Sequence, residues 1–254
     1  MKIWVFLIIG IVPILSFSRV VAGHLELDSY IVEYDVLRKG QKRGLAQRML
    51  RMTGSSSYSL TMQSDASLLF YSIITCEKST FRINGGNLVP LSYNKVDDRT
   101  FKKTKHSALN FSPEENLVKG SFGKNSWERP TDNMILDPLL AYEAMRLDAK
   151  ENKKANLTYL IPSEQGSIEY KMIYEGQESI STPIGQVETI KYIRVRENSS
   201  RRTTFWLDVN NRFIPIKVTQ TKDGNEQATL LISKPITILG SGIVEGKQKW
   251  QENC

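Results

Sequence analysis

Apolar and polar residues alternate along most of this chain with the period of half-buried β-strands. In Asp28–Arg38, Tyr30, Val32, Tyr34 and Val36 share one face, and Ile31, Glu33 and Asp35 the other. Lys39–Lys42 reads as a turn and Arg43–Thr53 as the returning strand. After the break at Gly54–Ser57, Tyr58, Leu60 and Met62 form one face of a third strand. Leu68–Cys76 is a continuous apolar run. Its aromatic and β-branched residues predict a strand buried on both sides, with a short buried helix as the alternative. Further strands are predicted over Ser79–Asn84, Leu88–Tyr93, Leu109–Phe111, Asn116–Phe122, Asn156–Ile161, Ser167–Tyr174, Val187–Arg196 and Ala228–Ser233. Pro90 marks an edge or the start of a strand, because it cannot donate to a ladder.

The clearest hairpin is Thr203–Thr219. Phe205, Leu207 and Val209 alternate on one arm and Ile214, Ile216 and Val218 on the other. Asn210-Asn211, a pair that tolerates positive φ, is the predicted tight turn. One helix stands out. Asp137 suits a cap and Pro138 the first turn, and Leu139, Leu140, Tyr142, Ala144, Met145 and Leu147 recur at helical spacing as far as Asp148. Such a stripe predicts a helix that plugs or flanks a sheet. About eleven to thirteen strands joined mostly by short turns predict a mainly β, antiparallel, strongly curved sheet. Closing into a barrel or half-barrel would cover its edges, and the one short helix falls near the middle of the chain.

The N-terminus departs from this pattern. Lys2 precedes the apolar run Ile3–Phe17, and small residues end at Val20-Val21-Ala22-Gly23. Residues 1–22 therefore read as a signal peptide, which implies export. The rival, an uncleaved anchor, would need about 20 apolar residues, and this run is shorter and contains Pro13. No later stretch is apolar enough to span a bilayer. Residues 23–239 are expected to form one barrel-like domain, and 240–254 a polar tail that packs loosely or hangs free.

Losing Lys2 and Arg19 lowers the formal charge from +7 to +5. That charge favours anionic lipid or lipopolysaccharide surfaces, although dispersed charge more often only solvates a surface. No basic-aromatic stripe points to nucleic acid. Of the two cysteines, Cys76 reads as a small buried hydrophobe and Cys254 as a loose terminal thiol; a bridge between them is the alternative in an exported protein.

Reactive chemistry is sparse. His24 lies beside the expected cleavage site and His106 within a charged stretch, neither placed for a triad. There is no metal-ligand cluster, phosphate loop or dinucleotide fingerprint, so no catalytic residue, cofactor or metal is expected. Asp97-Asp98 and Glu114-Glu115 read as solvated charges. Asn156 and Asn198 sit in short glycosylation patterns that arise by chance. Tyr30, Tyr34, Tyr170 and Tyr174 either pack a core or line an apolar cavity. If the interior is hollow, the expected ligand contacts are Tyr170, Met172, Tyr174 and Trp206, with Trp206 at the cavity mouth or against a second layer. A cavity of about 300 Å³ or more would favour binding, and a filled interior a scaffold.

Five segments in order, YIVEYDVLRKGQKRG, FRINGGNLVPLSY, LDPLLAYEAMR, TPIGQVETIKYIRVR and FWLDVNNRFIPIKV, resemble the bacterial exported family called domain of unknown function 3108. That resemblance implies the periplasm of Gram-negative bacteria and carries no catalytic motif. The last segment also looks like the lipoprotein-carrier fold, a half-open β-barrel with an apolar cavity under a helical lid. One helix here departs from the several helices of that lid. The resemblance to the carriers implies a fold more than a function; export, a curved sheet, inward apolar alternation and the lack of a catalytic set point to a non-enzymatic protein that binds a lipid, an acyl chain or another envelope-derived ligand. The alternative is a structural or assembly factor that contacts another envelope protein.

Overall fold

The computed structural model describes residues 27–240, apart from 69, 132–134, 153 and 198, together with Gly242. The expected signal peptide and nearly all of the expected tail lie outside the described residues.

Among the described residues, fifteen strands form one antiparallel sheet. Eight make the first meander: β1 (Ser29–Arg38), β2 (Gln41–Gly54), β3 (Ser57–Leu68), β4 (Tyr71–Asn84), β5 (Asn87–Arg99), β6 (Lys105–Ser112), β7 (Leu117–Phe122) and β8 (Asn125–Pro130). The helix α1 (Leu140–Glu151) then leads into a second meander of β9 (Leu157–Ser163), β10 (Gly166–Thr182), β11 (Gly185–Val195), β12 (Arg201–Asp208), β13 (Pro215–Lys222) and β14 (Asn225–Ile232). Antiparallel pairing of β1 with β14 joins the two meanders, and β15 (Thr237–Gly240) pairs with the other end of β1. β1 is therefore the seam of the molecule, although it opens the described chain.

The sheet curls without closing. β8 and β9 are its terminal strands, and smaller contacts cover the gap. Ile135 forms a parallel bridge with Leu160 of β9. The Arg129 guanidinium of β8 donates to the Glu164 carbonyl, from Nε at 2.8 Å. The half-barrel thus manages its edges partly through the segment that enters α1.

Alternation sets the inner face as the sequence predicts. Tyr30, Val32, Tyr34 and Val36 of β1 are buried, and so are Tyr192, Phe205, Leu207 and Ile232 in the second meander. The helix is the plug. Asp137 Oδ1 accepts the backbone N–H groups of Leu139 and Leu140, both at 2.9 Å, and the Asp137 carbonyl accepts from Ala141. The cap therefore sits one short turn ahead of the regular helix, with Pro138 in that turn. Leu140, Ala141, Met145 and Ala149 are buried against the inner face.

Three sequence expectations fail locally. Leu68–Cys76 is not one buried strand: it spans the β3–β4 hairpin, with Phe70 exposed at the tip and Ile74 on the outer face. An apolar run hides a turn when the turn residues are themselves apolar. The β12–β13 connection is a six-residue loop, 209–214, instead of an Asn-Asn turn. Its positive φ angles fall on Arg212 and Phe213. Asp208 organises the loop by accepting the N–H groups of Asn210 and Asn211 and the Asn211 side-chain amide. Val209 has no partner in β13, although its N–H still donates to the Glu188 carbonyl of β11 at 3.1 Å. Finally, Pro90 lies on an internal strand. It sits at a register shift against β4, beyond the stretch of β5 that pairs with β6, so its missing N–H costs no ladder bond there.

Candidate functional site in the half-barrel interior

Register alone assembles a cavity wall. Tyr34, Ala46, Ser64 and Thr75 stand in one cross-strand row over β1 to β4. Leu230, Val218 and Phe205 continue the lining across β14, β13 and β12. Leu139 and Tyr142 from the helix close the floor. Together they enclose a cavity of about 240 Å³, whose apolar lining includes Met62, Phe205, Val218 and Leu230. Arg48, Glu77, Thr203 and Gln220 are its polar members. A smaller nook of about 110 Å³, lined by Val36, Ala66, Ile73 and Ala228, lies further along the same strands toward the β1–β2 turn. A depression of about 300 Å³ near Arg82, Phe111 and Glu114 is a different feature, set among the exposed turns at the opposite end.

Beneath the cavity lies a buried ionic network. Glu143 of α1 is fully buried. Its Oε2 accepts from Tyr30 at 2.9 Å and Arg48 at 2.8 Å, and its Oε1 accepts from Arg146 Nε at 2.9 Å. Arg48 also donates to the Tyr30 hydroxyl, and Arg146 to the Arg212 carbonyl in the β12–β13 loop. Burial alone would raise the Glu143 pKa, but Arg146 and Arg48 outweigh it and hold the carboxyl below its usual range. Burial pushes the Tyr30 hydroxyl up to about 12, so it remains a donor. One carboxylate thus ties the helix to β1, β2 and a distant loop.

A third buried cation, Arg194, donates to the Tyr142 hydroxyl at 2.5 Å and lies 4.7 Å from the Tyr170 ring centroid. Among the described residues Arg48, Arg51, Arg146 and Arg194 are the buried cations, and Glu143, Asp137 and Asp208 the buried carboxyls. Burial raises Asp137 to about 7 against the opposing bonds from Ser79, Leu140 and Leu139. Thr203 Oγ1, on the cavity wall, is buried without a hydrogen-bond partner.

The residues expected to touch a ligand are dispersed. Met172 is fully buried, and Tyr170 is buried with its ring stacked on Tyr142 at 6.1 Å. Tyr174 is half-buried, edge-on to Tyr192. These three face inward, but none lines the cavity. Trp206 is on the outer face, because Phe205 and Leu207 take the inner positions. Its Nε1 donates to Glu178 at 2.7 Å, and Lys217 lies 4.4 Å from its ring. Trp206 lines neither the mouth nor the helix contact. Tyr34 does line the cavity, its hydroxyl donating to the Pro215 carbonyl at 2.7 Å.

Sequence reasoning missed Arg48, Glu143 and Arg146. Glu143 and Arg146 at i, i+3 look like an exposed helix pair. The visible clue was Arg48, which shares the parity of Ala46 and Leu50 on the inner face. Cys76 is disulfide-bonded rather than a free buried thiol. The sequence has one other cysteine, Cys254, outside the described residues. His106 is exposed on β6, and His24 lies outside the described residues. Among the described residues no group of acids, histidines and cysteines could hold a metal ion. No helix among them is long and apolar enough to cross a membrane.

Residues 29–231 match the profile of a protein family of unknown function, DUF3108. The chain belongs to that family. No curated protein matches the sequence. Among solved structures, a β-barrel-like protein of another family of unknown function, DUF1849, from Brucella abortus shares the fold. It is 12% identical with a TM-score of 0.52, over 84% of this chain and 98% of that one. A protein of Parabacteroides distasonis described provisionally as a lipoprotein aligns over 84% of this chain and 96% of its own. It is 11% identical with a TM-score of 0.32, too low to define a common fold.

Proposed function

We propose that this DUF3108 protein is a non-enzymatic periplasmic protein that holds a lipophilic, envelope-derived ligand by one alkyl tail inside the half-barrel. The observation that carries this reading is the interior cavity. It is apolar on the walls formed by Met62, Phe205, Val218 and Leu230, and polar at Arg48, Glu77, Thr203 and Gln220. Its volume, about 240 Å³, is below the 300 Å³ threshold set from sequence and below the usual size of drug-sized sites. It suits a single tail better than a whole multi-chain lipid. The Arg48 guanidinium on the cavity wall favours a polar head, and the unpartnered Thr203 hydroxyl offers it a hydrogen bond.

Export from the Ile3–Phe17 run supplies the setting, since it puts the mature chain among lipids and lipoproteins. Protein purified from its native envelope should show an amphiphile adduct in native mass spectrometry. Val218→Trp, which fills the cavity, should abolish the adduct and leave the far-UV circular dichroism unchanged. Wild-type protein without an adduct, and without uptake of a fluorescent fatty acid, would overturn the reading.

The free edge of β8 supports a second reading, an assembly factor that pairs with a strand of another envelope protein. A photocrosslinker at Ser126 in intact cells would then capture one specific protein, with the interior empty.

A further inference from the structure

Alternating strand direction divides the turns of the first meander between two rims. The turns β1–β2, β3–β4, β5–β6 and β7–β8 lie on one rim, and β2–β3, β4–β5 and β6–β7 on the other. The two rims differ in chemistry. Phe70 in the β3–β4 turn is 89% exposed, Phe101 in the β5–β6 turn 90%, and Phe122 at the β7–β8 turn 56%. Lys102, Lys103 and Lys124 in the same turns are exposed beside them. On the opposite rim the exposed turns are Ser55-Ser56, Gly85-Gly86 and an acidic turn with Glu114 and Glu115.

Single exposed apolar residues are ordinary. Here the two most exposed rings are held together by structure. The Ser72 N–H donates to Thr100 Oγ1 at 2.9 Å, and the Thr100 N–H donates to the Ser72 carbonyl at 3.1 Å. These bonds clamp the β3–β4 and β5–β6 tips side by side. Phe101 also adopts φ +62°, a left-handed conformation that disfavours a bulky side chain. Phe213 adopts the same conformation but is buried in the core, whereas the Phe101 ring gains no burial in return. Aromatic rings projecting from a clamped tip, ringed by lysines, complement the headgroup region of an anionic bilayer. Rings insert at the boundary while ammonium groups meet phosphates.

We infer that this rim is a membrane-docking surface that seats on an anionic phospholipid bilayer through Phe70, Phe101 and Phe122. This goes beyond ligand binding in the cavity, and either can hold without the other. If both hold, docking sets the interior nook between Val36 and Ala228 nearer the bilayer than the helix plug, because it lies toward the docking rim.

The test is co-flotation of the mature protein with vesicles of phosphatidylethanolamine and phosphatidylglycerol, against vesicles of phosphatidylcholine alone. Binding is expected only to the anionic vesicles. It should weaken with salt as the Debye length falls from about 10 Å at 0.1 M to about 3 Å at 1 M. Lys102→Gln with Lys103→Gln should lower partitioning roughly 30-fold, the equivalent of about 1 kcal/mol for each lysine. Phe70→Ser with Phe101→Asn should lower it by at least about tenfold and leave the fold intact, since both side chains are exposed and Asn accepts positive φ. Glu114→Gln with Glu115→Gln, on the other rim, should change nothing. Equal binding to both vesicle types, or rim variants that bind like wild type, overturns the inference. So does absence of vesicle binding together with a dimer that the phenylalanine substitutions dissolve, which would make the rim a self-association surface. Native mass spectra of the rim variants keep the two readings separate, because their cavity ligand should be retained.

Discussion

Glu143 concentrates the energetics of the interior in one side chain. It is fully buried and serves Arg48, Arg146 and Tyr30 together. Glu143→Gln leaves two buried guanidinium groups without a compensating charge. A loss of about 3–5 kcal/mol is expected, read as a lower urea midpoint. Because its folded pKa lies below the unfolded one, Glu143 stabilises fully above pH about 4.3, and that stabilisation is lost as pH falls through the folded value. Asp137 has the opposite sign. Its folded pKa is raised to about 7, so the folded state holds a proton that the unfolded chain has released. Stability therefore declines as pH rises from about 4 to about 7. Asp137→Asn keeps an acceptor for the Leu139 and Leu140 N–H groups and removes the titration. It should stabilise the protein at pH 8 relative to wild type by about 1–3 kcal/mol, with the gain vanishing near pH 4. Thermal melts across pH 2–8 check both signs. None of this was legible in the sequence, where Glu143 and Arg146 are the commonplace charges of a helix. Burial, a tertiary property, changed their meaning.

At the scale of elements, the alternating pattern read the strands well because a period of two is imposed by the pleat wherever one face is covered. It read turns poorly when their residues were apolar or their geometry was set from a distance. Leu68–Cys76 concealed a hairpin, and Asn210-Asn211 advertised a tight turn that Asp208 converts into a longer loop. The curvature of the sheet was expected, but the points where its strands close up were not. β2 shifts register against β1 between Val36 and Leu37, next to Gly44. There the backbone of β3 comes so close that a Cβ on Gly44 would lie 1.9 Å from the Asp65 carbonyl oxygen. Gly44→Ala must push two strands apart. A destabilisation of about 1–3 kcal/mol is expected, measurable by urea titration. The matching substitution at Gly40, where a Cβ meets nothing within 4 Å, costs only the strain of its positive φ.

Over the whole molecule, two features join distant parts of the chain. The first is the β1–β14 pairing, which makes two meanders one sheet. The second is the disulfide at Cys76. With Cys254 the only other cysteine in the sequence, a non-reducing peptide map should recover the Cys76 peptide linked to the C-terminal one. Reduction should lower the melting temperature, in line with a loss of about 2–4 kcal/mol. By itself the sequence determined the fold class, the single helix with its Asp137-Pro138 start, the family, and which residues face inward on most strands. These follow from local rules of pleat, cap and turn that each segment obeys on its own. Tertiary structure alone decided that the sheet stays open between β8 and β9, and that a helix carboxylate meets an arginine of β2. It also set Trp206 on the outer face, and left Met62, Phe205, Val218 and Leu230 around an unfilled volume. Those outcomes depend on how far the sheet curls and on what packs across it. Both arise from contacts between residues far apart in the chain, which no local pattern encodes.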